Sequence, residues 1–313
     1  MDNDIIKVEA NIKQAVNINS FIDRFIASQD VRLTSRNTYR KALKQFAVWV
    51  SDKPINTLTR EDILGYKDFI KAKSLSSYTL SSYLVSVRKF FEWAESLKLY
   101  PNIARGIKGG KQNRQFKKDP LTISQIKNLL GSIDRETIKG KRDFAILNLL
   151  IRTGLRTIEI IRANINDIRQ ESGEAVLWIQ GKGSDVKDNF VMLTEDTLKP
   201  ITEYLSTRGN TKEDDPLFTS LSNRNQVKRL TTKSISRIVK EDLRTIGLNS
   251  GRLTAHSLRH TAITLSLMAG ASIQEAQALA RHKDINTTLI YSHNLNRIAN
   301  APEKKIDVLL AGI

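Results

Sequence analysis

The sequence predicts a mainly α protein with one small β-hairpin or sheet, arranged as two domains. Three observations carry this reading. Apolar residues recur at 3.6-residue spacing along most of the chain, as in helices that bury one face. β character is confined to one place, where Ala175–Gln180 and Asn189–Leu193 flank a turn containing Gly181-Lys182-Gly183. Between Arg105 and Lys118 the chain carries six basic residues, three glycines and no acid, a composition suited to an extended linker. With 313 residues there is room for two domains of the usual size, placed here at 1–104 and 119–313 with the linker at 105–118.

The first domain reads as a bundle of about four helices with no strand. One covers about Ser20–Ser28. Tyr39, Leu43, Phe46 and Val50 mark the next, and Leu80, Leu84, Val87, Phe91 and Ala94 mark another. Between them Thr59-Arg60-Glu61-Asp62 has the form of a helix start ahead of Ile63, Tyr66 and Ile70. The polar faces carry Arg36, Arg40, Lys44, Arg88 and Lys89, which suit contact with phosphates; each also fits an ordinary solvated face. Beyond the linker, Thr122-x-x-Gln125 and Ser272-x-x-Glu275 are capping-box patterns, and Ile235, Ile238 and Ile246 continue a helical stripe. After a break at Ala301-Pro302, Ile306, Val308, Leu309 and Leu310 form an apolar cluster on a short helix. Its own domain or a neighbouring copy must cover it.

Composition narrows the function. Fifty Lys and Arg against 33 Asp and Glu give a net charge of +17, and the excess is steeper over residues 1–118, with 22 against 11. Such a balance points to a polyanion, above all the phosphate backbone of nucleic acid. There is no cysteine, which excludes disulfides, thiol nucleophiles and cysteine-held zinc. The longest apolar run, Phe144–Ile151, is interrupted by Asn148 and is far shorter than a membrane span. The N-terminus lacks a signal-peptide pattern, so a soluble, cytoplasmic protein with no membrane partner is expected.

Three segments of the second domain hold side chains with chemical potential. Arg156 sits in Thr153-Gly-Leu-Arg-Thr-Ile-Glu159, and Lys182 lies at the hairpin tip. The third segment runs from His256-Ser-Leu-Arg259-His260 through Arg281-His282 to Tyr291. Singly, each has a plain structural reading: Arg156 as an ion-pair partner of Glu159, Lys182 as a solubilising turn residue, His256 as a cap, His282 and Tyr291 as interior residues. His256 and His260 are spaced like helical metal ligands, but no zinc-protease glutamate or third carboxylate accompanies them, so no metal is assigned. Taken together the set has another meaning. His256 and Arg259, three apart, share a helix face. A phosphodiester in mid-reaction is a crowded dianion that calls for two guanidinium forks, further donors, a nucleophile and an acid. Arg156, Arg259, His256, His282, Lys182 and Tyr291 make up that inventory without cofactor.

At this point the sequence resembles the tyrosine recombinases, the lambda-integrase family that includes Xer recombinases and many phage and transposon integrases. The first matching box is TGLRTIEI, with Arg156. The second runs from AHSLRHTAIT to LIYSH: His256-x-x-Arg259, then His282 23 residues on, then Tyr291 nine further. The resemblance covers the catalytic half from about Pro120, and the helical first half is similar to the family's core-binding domain. It implies that Tyr291 attacks the scissile phosphate, giving a 3′-phosphotyrosyl link and a free 5′ hydroxyl with neither ATP nor metal. Arg156 and Arg259 would clamp the phosphate, His256 would assist proton transfer, His282 would hydrogen-bond the phosphate, and Lys182 would protonate the leaving oxygen. Glu159 falls where the family has a supporting carboxylate. Two departures are visible: Leu279-Ala-Arg-His282 stands where Leu-Gly-His is common, and Ser184–Asp188 follows Lys182 with few basic residues, leaving Lys187 as a rival to Lys182.

The implied activity is site-specific recombination of duplex DNA at sites with inverted repeats, by a homotetramer that clamps DNA between its domains. Integration or excision of a mobile element and Xer-like resolution are both open. The linker would cross the DNA through Lys111, Arg114, Lys117 and Lys118. The short N-terminal segment favours a simple Xer-like build. Alternatives are a type IB topoisomerase or telomere-resolvase-like strand transferase, and a non-catalytic DNA-binding regulator.

Overall fold

A computed structural model describes residues 18–50, 53–110, 118–222, 227–299 and 301–311. The chain separates into two compact units, residues 1–115 and 116–313.

The first unit is built from Ile18–Ser28 (α1), Leu33–Trp49 (α2), Arg60–Ala72 (α3) and Ser77–Ser96 (α4). Local chemistry sets the starts. The Asp62 carboxylate accepts from the Thr59 backbone N–H at 2.8 Å at the head of α3, and Ser76 Oγ accepts from the Thr79 N–H at 3.1 Å at the head of α4. The buried faces are aromatic: Phe25, Phe46, Tyr66, Phe90 and Phe91 have no exposed surface. Their rings meet edge to face, Phe46 and Tyr66 at 5.0 Å and Phe25 and Phe90 at 5.8 Å. Each such pair adds about 0.5–1.5 kcal/mol beyond the area it buries.

The basic run read as a linker is not uniform. Ala104 and Ile107 are buried in this aromatic core, and Arg105 pairs with Glu95 at 2.7 Å. Ser81 Oγ donates to the Gly110 carbonyl at 3.3 Å, and Gly109 lies so near Ser81 that a Cβ there would sit 2.9 Å from its Oγ. Residues 105–110 therefore belong to the first unit, because Ile107 has an apolar seat that composition alone does not reveal. Lys111, Arg114 and Lys117 lie outside the described residues. Lys118 belongs to the second unit, its ammonium donating to the Gly251 carbonyl at 2.7 Å.

The second unit begins with Ile123–Gly131 (α5), Ile138–Thr153 (α6) and Thr157–Arg162 (α7). A sheet of Ile168–Glu171 (β1), Glu174–Ile179 (β2) and Asn189–Met192 (β3) follows. Then come Glu195–Ser206 (α8), Thr232–Thr245 (α9), Ala255–Met268 (α10), Ile273–Ala280 (α11), Asn286–Ala299 (α12) and Pro302–Leu310 (α13). The capping boxes read at Thr122 and Ser272 open α5 and α11. α6 is the central rod: Ala145, Ile146, Leu147, Leu149 and Leu150 have no exposed surface, and α8 and α10 pack against it. That accounts for the apolar Phe144–Ile151 run.

The expected hairpin is part of a three-stranded antiparallel sheet in the order β1-β2-β3, with Ile168 opposite Leu177 and Leu177 opposite Val191. β1 (IRQE) is mostly exposed and has no apolar alternation to announce it. Gly181-Lys182-Gly183 lies at the start of a longer β2–β3 connection rather than in a tight turn. Among the described residues, no helix is long and apolar enough to cross a membrane.

Candidate active site

The site grows from the break between α6 and α7. α6 ends at Gly154, whose left-handed backbone (φ +61°) turns the chain sharply. Two residues on, Arg156 caps α7 rather than lying within a helix. Glu159, one turn into α7, has no exposed surface. Its carboxylate accepts from the Arg156 backbone N–H and from Arg156 Nη1, both at 2.8 Å. Oε2, which takes the backbone N–H, also accepts from Arg281 Nη2 at 3.1 Å. One buried carboxylate thus holds two guanidinium groups, and both the pairs and their hydrogen bonds are needed to offset its desolvation.

Arg259 on α10 is only 2% exposed. It is held by backbone oxygens: Nη1 donates to the Gly154 carbonyl at 2.5 Å and Nη2 donates to the Ala280 carbonyl. Arg281 Nη2 shares the Gly154 carbonyl at 3.2 Å. Burial, then the charges of Arg156 and Arg281, push Arg259 down to about 9, which leaves it cationic at neutral pH. Three guanidinium groups against one carboxylate leave an uncompensated positive seat, a place suited to an anion.

The histidines surround this seat. His256, exposed at the start of α10, is held below the ordinary imidazole value, first by desolvation from the atoms packed round it and then by Arg259 and Arg156. His282 follows the left-handed Arg281 (φ +52°) that terminates α11, and its Nδ1 lies 2.9 Å from the buried Thr288 Oγ1. Burial, then Arg259 and Arg156, push His282 down to about 4. Tyr291, one turn after Thr288 on α12, is 4% exposed. Its ring lies between those of His260 (centroids 5.3 Å apart) and His282 (6.3 Å). Its hydroxyl is 2.5 Å from His260 Nδ1. Burial raises the phenol above its ordinary value, and the nearby Arg259 charge only partly opposes this.

Of the residues singled out from sequence, Arg156, His256, Arg259, His282 and Tyr291 come together here. Lys182 does not; it is exposed in the β2–β3 connection. Its rival Lys187 is engaged elsewhere, bonding both oxygens of the buried Asp167 at 2.6 Å. Sequence reasoning missed the parts played by His260 and Arg281. The first was weighed only as a metal ligand and the second only as a departure from a motif, though each adjoins a residue that was chosen. Among the described residues, no group of three or more His, Asp or Glu is placed to hold a metal ion.

The sequence pattern of the phage integrase family matches residues 120–297, and that of the phage integrase N-terminal SAM-like domain matches residues 18–98. The chain belongs to the phage integrase family. It is a tyrosine recombinase, an enzyme that cleaves and rejoins DNA through a tyrosine intermediate. It is similar to the tyrosine recombinase XerD of Listeria innocua, 28% identical over 287 residues that make up 88% of this chain and 93% of that one. Its fold is similar to that of the XerH site-specific recombinase bound to a palindromic difH substrate in a post-cleavage complex. The TM-score is 0.72 at 23% identity, over 87% of this chain and 80% of that one. It is also similar in fold to a lambda integrase tetramer bound to a Holliday junction, with TM-score 0.69 at 15% identity over 91% of this chain and 80% of that one.

Proposed function

We propose that Tyr291 is the nucleophile of a site-specific recombination reaction on duplex DNA. Arg156 and Arg259 grip the scissile phosphate, His282 donates to it and His256 assists proton transfer. Lys182 reaches the leaving 5′ oxygen when the β2–β3 connection meets the DNA. The observation that carries this reading is the convergence of Tyr291, two histidines, the half-buried Arg156 and the buried Arg259, with Glu159 and main-chain oxygens orienting the arginines. Tyr291 then exchanges one phosphodiester for another, so bond energy is conserved. The test is a nicked suicide duplex, which traps wild-type protein as a denaturant-stable adduct while Tyr291→Phe binds but forms none. An adduct formed by the phenylalanine variant at the wild-type rate would place the nucleophile elsewhere.

The first unit serves as the core-binding domain. Arg88, Lys89 and Arg105 line one hollow on it, and the buried Arg88 Nε has no hydrogen-bond partner among the described residues. An unpaired buried donor is costly, and a phosphate oxygen would satisfy it. Other assigned contacts are partly engaged within the chain. Arg36 Nε donates to the Gln29 carbonyl at 3.0 Å, Arg40 to Asn37 at 3.2 Å, and Lys89 to Glu92 at 2.8 Å, while Lys44 is exposed.

On paired sites with inverted repeats in the cytoplasm, four copies would act together. Ile306, Val308, Leu309 and Leu310 on α13 are 53–81% exposed, which supports docking onto a neighbouring copy over folding back. Deleting residues 303–313 should then spare binding to one site and abolish strand exchange between two. Plasmid relaxation by the monomer without exchange would favour a topoisomerase.

A further inference from the structure

The attacking phenol has a proton to lose. Tyr291 is buried and its ionisation is disfavoured, so attack near neutral pH requires an acceptor at the hydroxyl itself. His260 meets that geometric requirement. It follows the clamp arginine on α10, is 7% exposed, and holds Nδ1 2.5 Å from Tyr291 Oη. His282 is less well placed, because its own Nδ1 is directed at Thr288. His256 stands edge-on to His260, ring centroids 4.7 Å apart, further out on the same helix.

We propose that His260 is a catalytic residue, the proton acceptor for Tyr291 in cleavage and the donor that returns the proton in religation. The inference rests on Tyr291 being the nucleophile. With the ring proton on Nε2, Nδ1 presents its lone pair to the phenol. As the Oη–P bond forms, the phenolic proton passes to Nδ1, the P–O5′ bond breaks, its electron pair stays on O5′, and the acid assigned to Lys182 protonates that oxygen. In the return step the incoming 5′ hydroxyl gives up its proton to that lysine, the O5′–P bond forms as the P–Oη bond breaks, the electron pair stays on Oη, and Oη regains its proton from Nδ1.

The surroundings tune this acceptor. Burial depresses it most, and His256, Arg259 and His282 depress it further, while Asp119 opposes them; together they push His260 down to about 4. It is therefore neutral and able to accept in the unliganded site. A phosphodiester seated between Arg156 and Arg259 brings a negative charge that offsets part of the cationic depression. His260 becomes more basic as substrate arrives.

The test is single-turnover cleavage of a nicked suicide duplex by the full chain. His260→Gln keeps a polar side chain at the phenol but accepts no proton; His260→Ala leaves room for an added imidazole. Expected for His260→Gln are duplex affinity within about twofold of wild type and cleavage slower by about 10²–10⁴-fold, the usual contribution of a positioned base. The variant's rate should climb with pH where the wild type is flat. Imidazole should accelerate His260→Ala, and a fluorotyrosine at position 291, a more acidic phenol, should shrink the deficit. Cleavage by His260→Gln within about threefold of wild type would overturn the inference. So would a deficit that neither pH, imidazole nor fluorotyrosine relieves, since that marks a residue that only seats the ring. If wild-type protein forms no adduct at Tyr291, the nucleophile assignment fails instead.

Discussion

The two units bury different things. The first closes over aromatic rings, and the buried side chains that carry polar groups among its described residues are neutral, Ser86 and Tyr66 with its hydroxyl among them. The second buries Arg142, Asp143, Glu159, Asp167, Asp242, Arg259 and His260 along with its aliphatic core. Ring packing against ring satisfies itself, whereas a buried ion is tolerated only while every partner stays in place. The first unit is therefore organised for rigidity. The second accepts unfavourable burial where it will handle a charged phosphate.

The comparison breaks most sharply at Glu159 and Phe90. Glu159→Gln leaves Arg156 and Arg281 without their shared carboxylate; removing one partner of a buried ion set costs about 3–5 kcal/mol. Denaturation should show that loss in the second unit, and adduct formation should fall with it. Phe90→Ala opens a cavity in the first unit at a similar cost of about 3–5 kcal/mol. Trp49 and Trp93 report on that core; their emission should shift at lower denaturant while protein that remains folded still forms adduct. Equal damage to chemistry from both substitutions would erase the distinction.

Acid should separate the units next. The chain's four histidines, His256, His260, His282 and His293, all lie in the second unit. An unfolded imidazole takes its proton near pH 6.5, whereas folded His260 and His282 do so only at about 4. The unfolded state therefore binds more protons in that window, and stability is lost as pH falls through it. The loss reaches up to about 3 kcal/mol for His260 and less for the more accessible His282. Circular dichroism melts of Trp178→Phe protein from pH 7 to 4, with emission from Trp49 and Trp93 following the first unit, should show the second unit weakening first.

Asp242 works in the opposite direction. Burial, then the neighbouring Asp143, raise it to about 6. Its unfavourable ionisation is avoided below pH 4 and is complete above pH 6, so Asp242→Asn should stabilise the second unit at pH 7 by about 2–3 kcal/mol. A destabilised variant would show that the carboxylate has a partner worth more than its burial costs. The smallest effect is expected at Arg281→Gly. Glycine relieves a positive φ, worth about 1–2 kcal/mol, but removes the guanidinium's bonds to Glu159 and to the Gly154 and Leu279 carbonyls while Arg156 still pairs with Glu159, so the net loss should be about 2 kcal/mol. Cleavage should slow about tenfold as Glu159 and the Gly154 carbonyl lose a brace, an effect of about 1.4 kcal/mol on the barrier.

What sequence disclosed follows the range of the interaction. Helix starts at Thr59, Thr122 and Ser272 were legible because a cap and its partner lie three residues apart. Arg156, Arg259, His282 and Tyr291 were legible as a set because their types suit a phosphodiester reaction and their spacing resembles the boxes of the tyrosine recombinases. β1 was hidden, since IRQE pairs through its backbone and shows no alternation. The packing of residues 105–110 was hidden because one isoleucine decides it. Arg281 and His260 were present in plain view, but their partners Glu159 and Tyr291 stand 122 and 31 positions away, and no local pattern connects them.

The grip on Arg259 has an evolutionary consequence. Its two partners are main-chain oxygens, at Gly154 and Ala280. A peptide oxygen survives substitution of the residue that carries it, so mutation at position 280 leaves the acceptor in place as long as α11 ends where it does. Inheritance then acts on the path of the backbone more than on the identity of the side chains that line it. A lineage can replace most of its residues, its aliphatic core included, and still deliver the same guanidinium to the same point in space.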